Sequence, residues 1–203
     1  MRTIFLPIVF TFFLNALFGQ QDWEKVYDKN GVTVYTRTTE RSPFKEFRGE
    51  TILETTPELL KNIVCDVEKA PEWQYRTAEA RLFEREGDTI RYFYRAETPS
   101  FLKSRVAYLK LEILSGSLPG EIILKINNID PVEPVPESAI VMPFNEGFWK
   151  LTPVEKGKTR VILQMLAEPG GALPAWLANL VVVETPVSMF AKLRERIREA
   201  KPE

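Results

Sequence analysis

Between residues 31 and 167 apolar and polar side chains mostly alternate one by one, and near the C-terminus the apolar spacing changes to three and four. Alternation places successive side chains on opposite faces of a strand, whereas a three-four spacing lines one face of a helix. The alternating runs are Gly31–Arg37, Phe44–Leu53, Tyr75–Arg85, Thr89–Glu97, Arg105–Leu114, Glu121–Asn128, Ala139–Met142, Gly147–Val154 and Thr159–Ala167, which predicts about nine strands. Turn-forming residues separate them: Ser42-Pro43, Glu86-Gly87-Asp88, Ser115 to Gly120 and Lys156-Gly157-Lys158. Short strands joined this way predict an antiparallel sheet. Thr55 or Thr56 is placed to cap a short helix that begins at Pro57 and shows Leu59, Leu60 and Ile63 on one face.

After the break Glu168-Pro169-Gly170-Gly171, Pro174 opens a predicted long helix. Trp176, Leu180, Val183, Val187, Phe190, Leu193 and Ile197 form its apolar stripe, and Pro186 within it predicts a kink. The stripe must be buried, and the concave side of the sheet is the surface available. The fold class predicted is α+β, a curved antiparallel sheet wrapped around a long C-terminal helix.

Parity then assigns faces. Ile90, Tyr92, Tyr94 and Ala96 point inward, with Arg91, Phe93, Arg95 and Glu97 outward. Arg105, Ala107, Leu109, Leu111 and Ile113 join the inward set, as do Ile122, Leu124, Ile126, Trp149, Leu151, Val161, Leu163 and Met165.

The 203 residues suit one domain plus a processed segment, and 44% hydrophobic residues supply a sizeable core. Residues 1–19 read as a secretory signal peptide: Arg2, an apolar run from Ile4 to Phe18 that is short for a membrane span, then Gly19. This predicts export, with a periplasmic or secreted mature protein. Loss of Arg2 leaves 26 Lys+Arg against 28 Asp+Glu, a net charge of −2, so no basic field attracts nucleic acid. Cys65 is the only cysteine, and Ile63 and Val64 beside it predict a buried thiol. The chain has no histidine, which removes Ser-His-Asp and Cys-His catalysis and histidine-bearing metal sites. No cofactor or metal is predicted.

Several segments together resemble the START family, the lipid-transfer domains related to the steroidogenic acute regulatory protein. Gly31-Val32-Thr33-Val34-Tyr35 with Phe47-Arg48-Gly49 resembles the opening strand pair, and Pro99 followed by Arg105 resembles a proline-to-Arg-Asp stretch. Pro143 through Gly147, Trp149 and Leu151 resembles a Gly-x-Trp strand. Pro169-Gly170-Gly171-x-Leu173-Pro174-x-Trp176-Leu177-x-Asn179 is similar to the approach to the last helix and is the most specific match. The resemblance covers residues 22–200, and this chain departs from it at two positions. The aspartate that follows the family's arginine is Val106, and an arginine on the family's short strand is Val141.

The resemblance implies a helix-grip fold with a hydrophobic cavity between sheet and C-terminal helix, and hence a lipid or other hydrophobic small molecule as partner. Leu109, Leu111, Leu124, Trp149 and Met165 from the strands, with Leu180, Val183 and Val187 from the helix, become candidate lining; the same residues would serve equally as ordinary core. The hydroxyls of Tyr92 and Tyr94 need partners, which a ligand headgroup or the backbone supplies. Arg105 is the one cation of the inward set, suited to an anionic headgroup or to a structural ion pair. Leu173, Trp176 and Leu118 are candidates for a cavity mouth whose apolar rim touches a membrane transiently, or for simple loop packing. The function expected is binding and transfer of a hydrophobic molecule in the cell envelope, without catalysis. The alternative is a helix-grip enzyme of the cyclase or aromatase type that uses Arg105, Tyr92 and Tyr94.

Overall fold

A computed structural model of the chain describes residues 22–172, 179 and 182–200. The predicted signal peptide, and Leu173, Trp176 and Leu180, lie outside the described residues. The strands are β1 (Glu24–Lys29), β2 (Val32–Thr39), β3 (Ser42–Leu53), β4 (Thr77–Glu86), β5 (Thr89–Ala96), β6 (Ser104–Ser115), β7 (Ile122–Asn128), β8 (Ala139–Val141), β9 (Phe144–Glu155) and β10 (Lys158–Glu168). Helices α1 (Pro57–Cys65) and α2 (Ala70–Trp73), with a 3-10 turn at Val67–Lys69 between them, connect β3 to β4, and α3 (Glu184–Ala200) closes the described chain.

The strands form a single sheet in the order β1-β2-β3-β10-β9-β7-β6-β5-β4, with every neighbour antiparallel. Two features depart from the predicted set. β1 is an additional strand at the edge, and its mostly exposed residues carry no alternation to reveal it. β8, predicted as part of the antiparallel series, instead pairs parallel with β6 through Ser104–Ala139, Arg105–Ile140 and Val106–Val141. The proline-rich segment 131–136 precedes β8, so no tight hairpin sets its direction.

The inward parity holds. Ile90, Tyr92, Ala107, Leu109, Leu111, Leu124, Trp149, Leu151, Val161 and Leu163 share one buried cluster with Met189, Phe190, Leu193 and Ile197 of α3. Thr56 caps α1 as expected, its hydroxyl accepting from the Leu59 amide at 3.2 Å. The helix buries Leu60 and Val64, one turn apart, rather than Leu59.

The C-terminal helix differs from the expected one. Val182 and Val183 form a turn, α3 begins at Glu184, and Pro186 occupies its first turn instead of kinking a continuous helix. Proline has no amide hydrogen for the carbonyl four residues earlier, and its ring collides with that carbonyl, so a helix restarts more easily than it passes through.

The restarted helix lies close on the sheet. A Cβ on Gly49 would stand 2.5 Å from Pro186 Cβ and 3.1 Å from Phe190 Cε2. Arg194 Nη2 donates to the Thr51 hydroxyl at 2.8 Å, and Arg196 pairs with Glu72 of α2, so two basic side chains of α3 dock the helix. Gly49→Ala is expected to lower stability by about 1–3 kcal/mol, because α3 must lift or its side chains must leave their rotamers. Chemical denaturation of the two proteins checks this; an unchanged midpoint would contradict the close approach.

Candidate functional site

The concave face has two unlike halves. Under α3 it is filled. Trp149 packs edge-on between Trp73, with ring centroids 5.9 Å apart, and Phe190, 6.2 Å apart. Such pairs add to area burial because ring edges meet ring faces of opposite partial charge. Trp149, Leu109, Leu111 and Leu124 are all buried here.

Toward the other end of the same face the side chains become small or polar. Register places Tyr94 opposite Ala107, Ala96 opposite Arg105, and Thr77 opposite Ala96. Asn128 stands opposite Leu109, Gly147 opposite Ile126 and Met165, and Ala167 opposite Asn145. Met165 bends over Gly147: a Cβ there would be 2.5 Å from its sulfur. Asn128 donates its amide to the Met142 carbonyl at 2.8 Å, while its Oδ1 is buried without a partner. Asn128, Asn145 and Thr77 are not among the predicted site residues. Parity would have found the first two, since Asn128 continues Ile122-Leu124-Ile126 and Asn145 continues Gly147-Trp149-Leu151.

Tyr92 and Tyr94 both lie on this face. Burial pushes both phenols above their ordinary range, and both remain protonated donors. Among the described residues no hydrogen bond reaches the Tyr92 hydroxyl, and the Thr77 hydroxyl near Tyr94 is buried without a hydrogen-bond partner. Arg105 is 5% exposed. Its Nη1 donates to the Lys103 carbonyl at 2.6 Å, its Nε is buried without a partner, and no carboxylate pairs with it among the described residues. Val183 and Val187 pack against the core.

Of the candidate mouth residues only Leu118 is among the described residues, and it stands at the opposite end of β6 from Gly171. Gly171 lies against Arg105 and Ile140 at the start of that strand. Leu118 follows its far end and is 54% exposed; ten residues of strand separate the two places by about 33 Å. Glu121 organises the Leu118 loop by accepting from the Ser117 amide and from the Thr152 hydroxyl at 2.6 Å, contacts that hold its carboxyl below the ordinary range. A surface groove of about 560 Å³ includes Pro99, Phe101 and Lys103, and Phe101 is 84% exposed, but no predicted ligand residue lines that groove.

The opposite face of β5 and β6 carries a second core. Phe93, Val106 and Tyr108 are buried there, with Phe83, Ile129, Val135, Ala139 and Val141 packed on them. The outward assignment of Phe93 is thus correct in direction, but the chain from Ile129 to Val141 covers it. Val106 and Val141, the two departures from the START pattern, are direct partners in the β6–β8 register. If the family's aspartate and arginine occupy these positions, the two charges face one another, and here two valines replace them together. Such an exchange costs little, because a buried ion pair loses in desolvation much of what it gains in attraction.

Comparison with known proteins places these features in context. No family model matches the chain. An uncharacterised protein of Pseudomonas aeruginosa is 29% identical over 192 residues, 95% of this chain and 94% of that one. The rat phosphatidylcholine transfer protein is 25% identical over 78% of this chain and 75% of its own length. Among solved structures, a STAR-related lipid transfer protein fragment from Xanthomonas axonopodis superposes with a TM-score of 0.79 at 28% identity, covering 87% of this chain and 98% of that one. An aromatase/cyclase from Streptomyces shares the fold at 12% identity with a TM-score of 0.52, over 77% of this chain and 95% of its own.

Two predictions follow from the buried groups. Val106→Asp is expected to cost about 3–5 kcal/mol by burying an unpaired carboxylate, and adding Val141→Arg should recover a large part of it. A denaturation double-mutant cycle with no coupling would refute the pairing. Burial pushes the Cys65 thiol up to about 11 from 9.0, so the native thiol should resist DTNB at pH 8 and react fully after unfolding. The raised pKa also means that this group's contribution to stability is intact below pH 9 and declines as pH rises toward 11, because only the unfolded thiol ionises.

Proposed function

We propose that this chain, which carries the START fold, encloses a lipid or other hydrophobic small molecule between its sheet and its C-terminal helix and carries that molecule in the cell envelope. The observation that carries the reading is the division of one concave face into a half filled by aromatic packing and a half lined by Ala96, Ala107, Gly147 and Ala167 with polar groups among them. A binding site of this type needs apolar walls for the ligand body and a few converging polar groups to orient it. The lipid-transfer relatives, similar in sequence as well as fold, support the same reading.

Export rests on residues 1–19, and cell fractionation with mass measurement of the mature chain tests it. A cytoplasmic, unprocessed chain would overturn that part. The apolar rim around the last helix is proposed to touch membrane only while ligand enters or leaves.

A second reading, a cyclase or aromatase type of enzyme, is favoured by the likeness in fold to the Streptomyces protein and by the buried phenols of Tyr92 and Tyr94. In a carrier, Tyr92→Phe changes affinity by at most about tenfold, the worth of one hydrogen bond. In an enzyme it lowers turnover while the ligand still binds.

Native mass spectrometry of protein purified from its own envelope tests the main proposal. A co-purified hydrophobic mass, and its recovery when stripped protein is mixed with envelope lipid extract, are the expected results. A stripped protein that is folded but takes up nothing from that extract would overturn it.

A further inference from the structure

We propose that Arg105 is the anchor for an anionic headgroup, a carboxylate or a phosphate, on the ligand that the chain encloses; this rests on the ligand-binding reading above. A guanidinium stays ionised at any physiological pH, so it cannot escape burial by losing its proton. A buried charge is retained where a counter-charge meets it. Arg105 is 5% exposed, yet its hydrogen bond goes to a neutral backbone carbonyl, that of Lys103, and its Nε is buried with no partner.

Among the described residues no acidic side chain is at hand to neutralise it. Glu203 excepted, every Asp and Glu of the sequence lies among the described residues, and none of those pairs with Arg105. The next position, where the resembling family has an aspartate, is Val106, whose side chain is buried in the second core on the other face.

Position then says where the counter-charge comes from. Arg105 shares its face of β6 with Ala107, Leu109 and Leu111, all members of the concave cluster. Its Nη2 lies beneath Gly171, 3.8 Å from where a Cβ would be. On the neighbouring strand Tyr94 stands opposite Ala107, and Ala96 opposite Arg105, so small side chains flank the guanidinium on the ligand face. The planar fork of arginine matches the two oxygens of a carboxylate or phosphate, while the remaining walls of this face accept the apolar chain.

The test compares ligands that differ only in charge, using the full mature chain stripped of lipid. One arm sets palmitate against hexadecanol; the other sets lysophosphatidic acid against monoacylglycerol of the same acyl chain. The expected result is a preference of roughly 10- to 100-fold for the anion in at least one arm, the gain of a charge-assisted pair over a neutral contact. The arm that shows it identifies carboxylate or phosphate. Arg105→Gln should erase the preference, and Arg105→Lys should restore part of it. If Arg105→Gln does not fold, the wild-type preference is followed by pH instead: for palmitate it should fade as the carboxylate protonates.

Equal binding of both members in both arms would overturn the anchor while leaving the ligand-binding reading intact. A preference that survives unchanged in folded Arg105→Gln would overturn it too. Failure to bind any of the four would count against the ligand-binding reading itself, and the anchor would fall with it.

Discussion

Pro186 and Phe190 rest on the sheet at Gly49, and no side chain larger than hydrogen fits between them and the strand. This one approach sets the height and position of α3. With the helix held there, Phe190 meets Trp149 and Trp149 meets Trp73, and all three rings are buried in the middle of the face. α3 has 17 residues and spans about 25 Å of this face. The small and polar end toward Arg105, Asn128 and Asn145 belongs to the same face.

The same strands carry a second set of contacts on their other side. β5 and β6 bury Phe93, Val106 and Tyr108 under the segment that leads into β8. Because neighbouring side chains on a strand point to opposite faces, Arg105 and Val106 belong to different environments although they are adjacent. Val106 and Val141 therefore belong to the second core alone. The isolation of Arg105 is a separate matter: among the described residues no carboxylate meets its guanidinium.

Much of this was legible from residue order. Alternation located the strands apart from β1, whose exposed Glu24-Lys25 and Asp28-Lys29 bury nothing and so leave no pattern. Inward parity survived for every strand to which it was applied, including Tyr92, Tyr94 and Arg105. The direction of β8 was not legible, because a long connection leaves both directions open and the choice depends on which edge of β6 is free. The restart of the last helix was legible only in part: Pro186 announced a disturbance, and whether it bends or begins a helix depends on what the flanking turns pack against.

By itself, then, the amino-acid sequence determined local and periodic properties: which residues form strands, which face each side chain takes, that the thiol of Cys65 is buried, and that histidine chemistry is absent. These follow from backbone geometry and from apolar side chains leaving water, which act over a few neighbouring residues. Tertiary structure alone decided that Gly49 is where the helix lands, that Val106 and Val141 are partners, and that Arg105 meets no carboxylate among the described residues. Each is a distance between segments far apart in the chain, and no local periodicity encodes the position of one segment relative to another.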